Sequence, residues 1–118
     1  MVFVQGDTTT AFTSNLAAFY QKIPIVHVEA GLRTSSIKEP YPEEANVRFI
    51  SQIADLNFAP TNIAKKNLVK SGVLGWSIFI IGNTVVDALI HISKQNIESR
   101  ILDGYKDKKL ILLTIHRK

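Results

Sequence analysis

The stretch Ile23-Pro24-Ile25-Val26-His27-Val28-Glu29-Ala30-Gly31 decides the fold. A proline opens it, a strand-forming run follows, and an acid, an alanine and a glycine close it. A run this apolar belongs in a parallel sheet covered on both sides. The same grammar repeats in both directions. Upstream, Val2–Gln5 reads as the end of a buried strand, followed by Phe12, Leu16, Phe19 and Tyr20 at helical spacing. Downstream, residues 31–41 hold Gly31, Ser35, Ser36 and Pro40 and read as a loop. Pro42-Glu43-Glu44 starts a helix, with Pro in its first turn and acids at the positive end of its dipole. The apolar face of that helix is Phe49, Ile50, Ile53 and Ala54. Leu56–Ala59 is a third strand, and Thr61 caps a helix that ends near Ser71-Gly72. Ser77–Ile81 is a fourth strand, and Gly82-Asn83-Thr84 leads into a helix carrying Val85, Ala88, Leu89 and Ile92. Leu110–Ile115 reads as a last strand. Apolar strands alternating with helices define an α/β protein with a Rossmann-like parallel sheet.

With 118 residues, the chain holds one ordinary domain at most. The first strand begins at residue 2 and no helix follows the last, so the sequence reads as cut at both ends. It has no Cys, which removes disulfides and thiolate metal sites. No apolar run approaches the roughly 20 residues that span a bilayer, and no basic start precedes an apolar stretch. A cytoplasmic, soluble protein without a membrane partner is expected. The net charge is +4. Through residue 91 the cations and anions cancel. The excess comes from Lys94, Arg100, Lys106, Lys108, Lys109, Arg117 and Lys118 against Glu98, Asp103 and Asp107. No basic stripe is interleaved with aromatics, so no nucleic-acid partner is expected.

Ligands of open parallel sheets bind outside the carboxyl ends of the strands. Three such ends carry polar residues: Gly6-Asp7-Thr8-Thr9-Thr10, Glu29-Ala30-Gly31-Leu32-Arg33-Thr34 and His116-Arg117-Lys118. Each has a plain reading. Asp7 could cap the following helix, Glu43 and Glu44 could be first-turn acids, and His27 could be a packed strand residue. His116 and Arg117 could be solvated. Glu29 is harder to dismiss, because an acid closing an apolar strand needs a partner, for which Arg33 is available. The Gly-Lys-Ser/Thr ending of a P-loop is missing, and so is a Gly-x-Gly-x-x-Gly fingerprint. His27 and His116 have no metal-ligand spacing.

Together, Gln5-Gly6-Asp7-Thr8-Thr9-Thr10, His27-Val28-Glu29-Ala30-Gly31-Leu32-Arg33-Thr34 and Pro42-Glu43-Glu44-Ala45-Asn46 resemble the non-hydrolysing UDP-N-acetylglucosamine 2-epimerases. Phe58-Ala59-Pro60-Thr61, Gly82-Asn83-Thr84-Val85-Val86-Asp87-Ala88-Leu89 and Thr114-Ile115-His116-Arg117 continue the match in order. The departures are Val47, which stands between Asn46 and Arg48, and Ile115, where the family has Gly before His-Arg.

The resemblance implies a fragment of a two-domain GT-B-like architecture. Residues 1–82 would be the second half of the first Rossmann-like domain, and residues 83–118 the hinge and the opening of the second. The implied reaction inverts C2 of UDP-N-acetylglucosamine by eliminating UDP and adding it back, giving UDP-N-acetylmannosamine. A truncated, inactive remnant is the alternative. By resemblance, Asp7, Glu29, Glu43 and His116 are catalytic, while Arg33 and Arg117 bind substrate. Which carboxylate takes the C2 proton stays open. No cofactor and no metal are implied. The implied partners are the UDP-sugar and, in the full-length enzyme, a second copy of the chain.

Overall fold

In a computed structural model, which describes residues 1–95, 104–105 and 107–115, the expected strands and helices alternate. Strands β1 (Val2–Gln5), β2 (Ile25–Val28), β3 (Leu56–Ala59) and β4 (Ile78–Ile80) lie in the order β1-β2-β3-β4, all parallel. Helices α1 (Thr9–Tyr20), α2 (Glu43–Ile53) and α3 (Asn62–Lys70) make the crossovers, and α4 (Thr84–Ser93) follows β4. Thr61 caps α3 as its sequence position suggests, its hydroxyl accepting from Ala64 N at 3.1 Å.

Residues 1–83 form one compact unit and residues 84–118 a second. In the first unit, right-handed crossovers between strands taken in order put every helix on one face of the sheet. The contacts agree: Phe12 of α1 meets Phe49 of α2 with ring centroids 5.6 Å apart. Gln52 of α2 donates to Ser71 O at the end of α3, at 2.9 Å. On the helix side, Val4, His27, Asn57 and Ile78 form one row across the strands. Val4 and Ile25 pack with Ala11, Ala18 and Ile50, while Ala59 and Ile78 pack with Ala30, Ala64 and Leu68. The expectation of a sheet covered on both faces is not met within this unit. The opposite face carries Phe3, 63% exposed, and Phe79, 48% exposed, although Val26 on the central strand between them is buried, and none of α1–α3 lies over it.

Other expectations change as well. The most buried stripe of α1 is Ala11, Asn15 and Ala18; Phe12 packs partly buried against the same core, while Phe19 and Tyr20 point outward. Small side chains let the helix axis approach the sheet. On α2 the buried stripe is Val47, Ile50 and Ser51, and Phe49 is half exposed. In the second unit, Leu110–Ile115 is not a strand, and its apolar residues stand in solvent. A parallel strand exists only through a ladder with a neighbour, and the described residues of this unit contain no other strand. Val85, Leu89 and Ile92 of α4 are exposed too.

Candidate functional site

Strands β1 and β2 are hydrogen-bonded neighbours, with Gln5 opposite Val28. Their carboxyl ends therefore deliver the loops beginning at Gly6 and Glu29 side by side on one rim. Gly6 turns the chain with φ +73, and its N–H donates to Val28 O at 3.1 Å. Its bare Cα faces the second loop: a Cβ there would lie 4.0 Å from Glu29 Oε2. The two loops, with Arg33, Glu44 and Val47, line a cleft of about 240 Å³.

Asp7 is not the cap of α1. That role belongs to Thr8, whose hydroxyl accepts from Ala11 N at 3.1 Å. Glu29 sits at φ +66, a left-handed conformation that costs a residue with a Cβ roughly 1–2 kcal/mol. Strain of this kind clusters where the side chain's direction matters. Neither the Asp7 nor the Glu29 carboxylate accepts a hydrogen bond from a described residue, and both line the cleft. Arg33 does not pair with Glu29. Its guanidinium donates to Leu32 O at 2.8 Å and to Ser51 Oγ at 3.4 Å. Burial lowers the Arg33 pKa, Glu44 opposes that, and the neighbouring Arg48 adds to it. The group stays cationic at neutral pH.

The structure separates the two acids at the start of α2. Glu44 lines the cleft; Glu43, half-buried one residue earlier on the same rim, is not among the lining residues. Glu44 is also fully engaged. Its Oε2 accepts from Thr34 N at 3.0 Å and its Oε1 pairs with Arg48 Nε at 2.7 Å. It anchors the loop after β2 to α2. The spacing of Glu44 and Arg48 is the signal in the sequence that announces such a pair. Arg48, Ser51 and Asn46 are the site neighbours that sequence reasoning passes over. His116 and Arg117 lie outside the described residues. No group of three His, Asp or Glu among the described residues is placed to hold a metal ion.

His27 lies beneath this rim, wholly buried. Its Nε2 is 3.0 Å from Gly6 O and its Nδ1 3.2 Å from Ser51 Oγ. Burial pulls its pKa down to about 4, against the partial compensation of the Gly6 hydrogen bond. The unfolded chain takes up a proton near the ordinary 6.5, and the folded one does so only near 4. Between these values the unfolded state binds more protons, so stability falls as pH falls. The full shift corresponds to about 3 kcal/mol at 1.36 kcal/mol per unit. Urea unfolding at pH 7.5, 5.5 and 4.5 should show this loss, and His27→Gln should flatten it. An equal slope in wild type and variant would assign the acid sensitivity to other groups.

Comparison with known proteins fits this geometry. The family model described as UDP-N-acetylglucosamine 2-epimerase matches residues 1–118. The UDP-N-acetylglucosamine 2-epimerase of Bacillus subtilis is 49% identical over 118 residues, covering 100% of this chain and 31% of the relative. Among solved structures, the S. aureus MnaA–UDP co-structure superposes with a TM-score of 0.84 at 47% identity, over 92% of this chain and 29% of that one. The Neisseria meningitidis UDP-GlcNAc 2-epimerase bound to UDP-GlcNAc superposes with a TM-score of 0.74 at 51% identity, over 76% and 25%. The chain thus spans about a third of the length of the curated relatives it matches. A match over the whole chain, on a parallel sheet whose rim carries Asp7 and Glu29, leads to one conclusion: the chain belongs to the UDP-N-acetylglucosamine 2-epimerase family.

Proposed function

We propose that the polypeptide carrying this chain interconverts UDP-N-acetylglucosamine and UDP-N-acetylmannosamine, with Asp7 and Glu29 at the reacting carbon. The observation that supports this most is the pair of unengaged carboxylates brought to one cleft, with the cationic Arg33 in its wall. The proton on C2 is not next to a carbonyl and is not acidic. Elimination solves this: a carboxylate takes the C2 proton while the C1–O bond breaks and UDP leaves with the electron pair. Addition of UDP back to the glycal, with a proton delivered to the opposite face of C2, completes the inversion. Two acid/base groups are needed, and positioned ones typically give about 10²–10⁴-fold each. Arg33 supplies positive charge toward the departing diphosphate. Glu43 is the third acid of the reading, and His116 and Arg117 its histidine and second cation, all three by resemblance. Residues 1–82 are read as the second half of the first domain, and 83–118 as the hinge and the start of the second. A cytoplasmic homodimer is part of the same reading.

The test is incubation with UDP-N-acetylglucosamine, followed by proton NMR of the anomeric region. New UDP-N-acetylmannosamine signals are expected from the full-length polypeptide, and their absence would defeat the reading. The isolated 118 residues should show no turnover. Val85, Leu89, Ile111 and Leu112 stand in solvent, so the described residues of the second unit form no core of their own. Measurable epimerisation by the isolated chain would contradict this.

A further inference from the structure

We propose that His27 is a positioning residue for Asp7, acting through the peptide bond that joins Gly6 to Asp7. This inference rests on the reading of Asp7 as an acid/base group. The Gly6 carbonyl and the Asp7 N–H belong to one planar unit, so whatever holds the carbonyl sets the orientation of Asp7. The carbonyl can only accept, so His27 Nε2, 3.0 Å away, carries the proton. The other side of Asp7 is held in the same way: Asn46 Nδ2 donates to Asp7 O at 3.0 Å. Both anchors are buried, His27 wholly and Asn46 nearly so. The two peptide planes that flank the Asp7 Cα are thus pinned from below, one by β2 and one by α2, and the direction of its side chain follows.

Such a clamp is needed here because Gly6, with no Cβ, does not restrict its own backbone. Ser51 of α2 stands between this clamp and Arg33 on the opposite wall. Its Oγ is 3.2 Å from His27 Nδ1 and 3.4 Å from Arg33 Nη2. Ser51 donates its one hydroxyl hydrogen to Val47 O at 2.8 Å, and its oxygen accepts from Arg33 while standing beside Nδ1.

The test is a double-mutant cycle in the full-length polypeptide. His27→Leu keeps the volume and removes the donor. It should lower kcat on the order of 10²-fold, the cost of misplacing a reacting group by about 1 Å, with KM changed less than about threefold. His27→Gln, whose amide can donate from near the Nε2 position, should recover most of that loss. In an Asp7→Asn background, His27→Leu should cost less than about threefold, because its route to the chemistry is already cut. Equal losses in both backgrounds would overturn the proposal. Asn46→Ala removes the second anchor from a helix that tolerates alanine, and should give the same non-additive pattern if His27→Leu does not fold. A wild type without turnover would refute the reading of function instead. The clamp then stands or falls on NMR. Wild type should show a neutral Nε2–H tautomer of His27 and a single Asp7 carboxyl resonance that shifts or broadens in His27→Leu. An unchanged Asp7 resonance would overturn the clamp.

Discussion

Asp7→Asn and Glu29→Gln, each made in the full-length polypeptide, should lower kcat by about 10²–10⁴-fold while changing substrate affinity little. Each substitution keeps shape and hydrogen-bonding capacity and removes only the proton-transfer function. The expectation rests on placement. Asp7 leaves the capping of α1 to Thr8, and Glu29 holds a strained φ of +66 to direct its side chain beside Gly6. Glu44→Gln separates site chemistry from site scaffolding. Its carboxylate is already engaged by Thr34 and Arg48, so its loss should appear first as lower stability. Glu29→Gly sharpens the contrast, because glycine adopts φ +66 freely. Relief of about 1–2 kcal/mol of strain offsets glycine's entropic cost of about 0.5–1 kcal/mol, so the fold should hold while activity is lost. Steady-state kinetics beside urea melts would decide it. Near-normal turnover in both Asp7→Asn and Glu29→Gln would mean that neither acid handles the proton.

Gly31→Ala should produce the largest loss of stability of any glycine-to-alanine change in this chain. Gly31 holds φ +88, and a Cβ there would meet Ala64 O at 2.3 Å, Ala64 C at 2.8 Å and Leu68 Cγ at 2.9 Å. Two of these are backbone atoms of α3 and cannot swing aside. The left-handed conformation costs about 1–2 kcal/mol for alanine, and overpacking adds about 1–3 kcal/mol. The sum is about 2–5 kcal/mol, a large fraction of the stability of a unit of this size at about 0.05–0.15 kcal/mol per residue. Gly72→Ala is the control: φ is +91, but nothing lies within 4 Å, so only the conformational part should appear. Chemical denaturation of both variants checks the difference. Equal losses would show that α3 gives way and that the close approach carries no cost.

Which parts of this were legible in the sequence follows from how local each signal is. The strands Val2–Gln5 and Leu56–Ala59 and the cap at Thr61 depend on neighbouring residues and match the structure. Asp7 and Glu29 fall on one rim because parallel strands share their polarity, which the alternation of elements already implies. What the sequence hid is tertiary. The buried stripe of α1 runs through Ala11, Asn15 and Ala18, because the depth at which a helix sits on a sheet favours small residues over large apolar ones. Glu43 and Glu44 are equivalent as letters; the direction of the first turn of α2 gives Glu44 to the cleft and to Arg48. Arg33 is close enough to Glu29 in sequence to suggest a pair, yet it turns to Ser51 and Leu32. Leu110–Ile115 has the composition of a strand and lacks a described partner strand.

The central claim is that carboxylates on this rim move the proton of C2. Epimerisation run in D₂O by the full-length polypeptide tests it most directly, with substrate and product examined by proton NMR and mass spectrometry. Removal and return of that proton through groups that exchange with solvent predicts deuterium at C2 in the UDP-N-acetylmannosamine formed. Both the label and the product should fall together in Glu29→Gln and Asp7→Asn. UDP-N-acetylmannosamine that forms at the normal rate with its original proton retained at C2 would contradict the account.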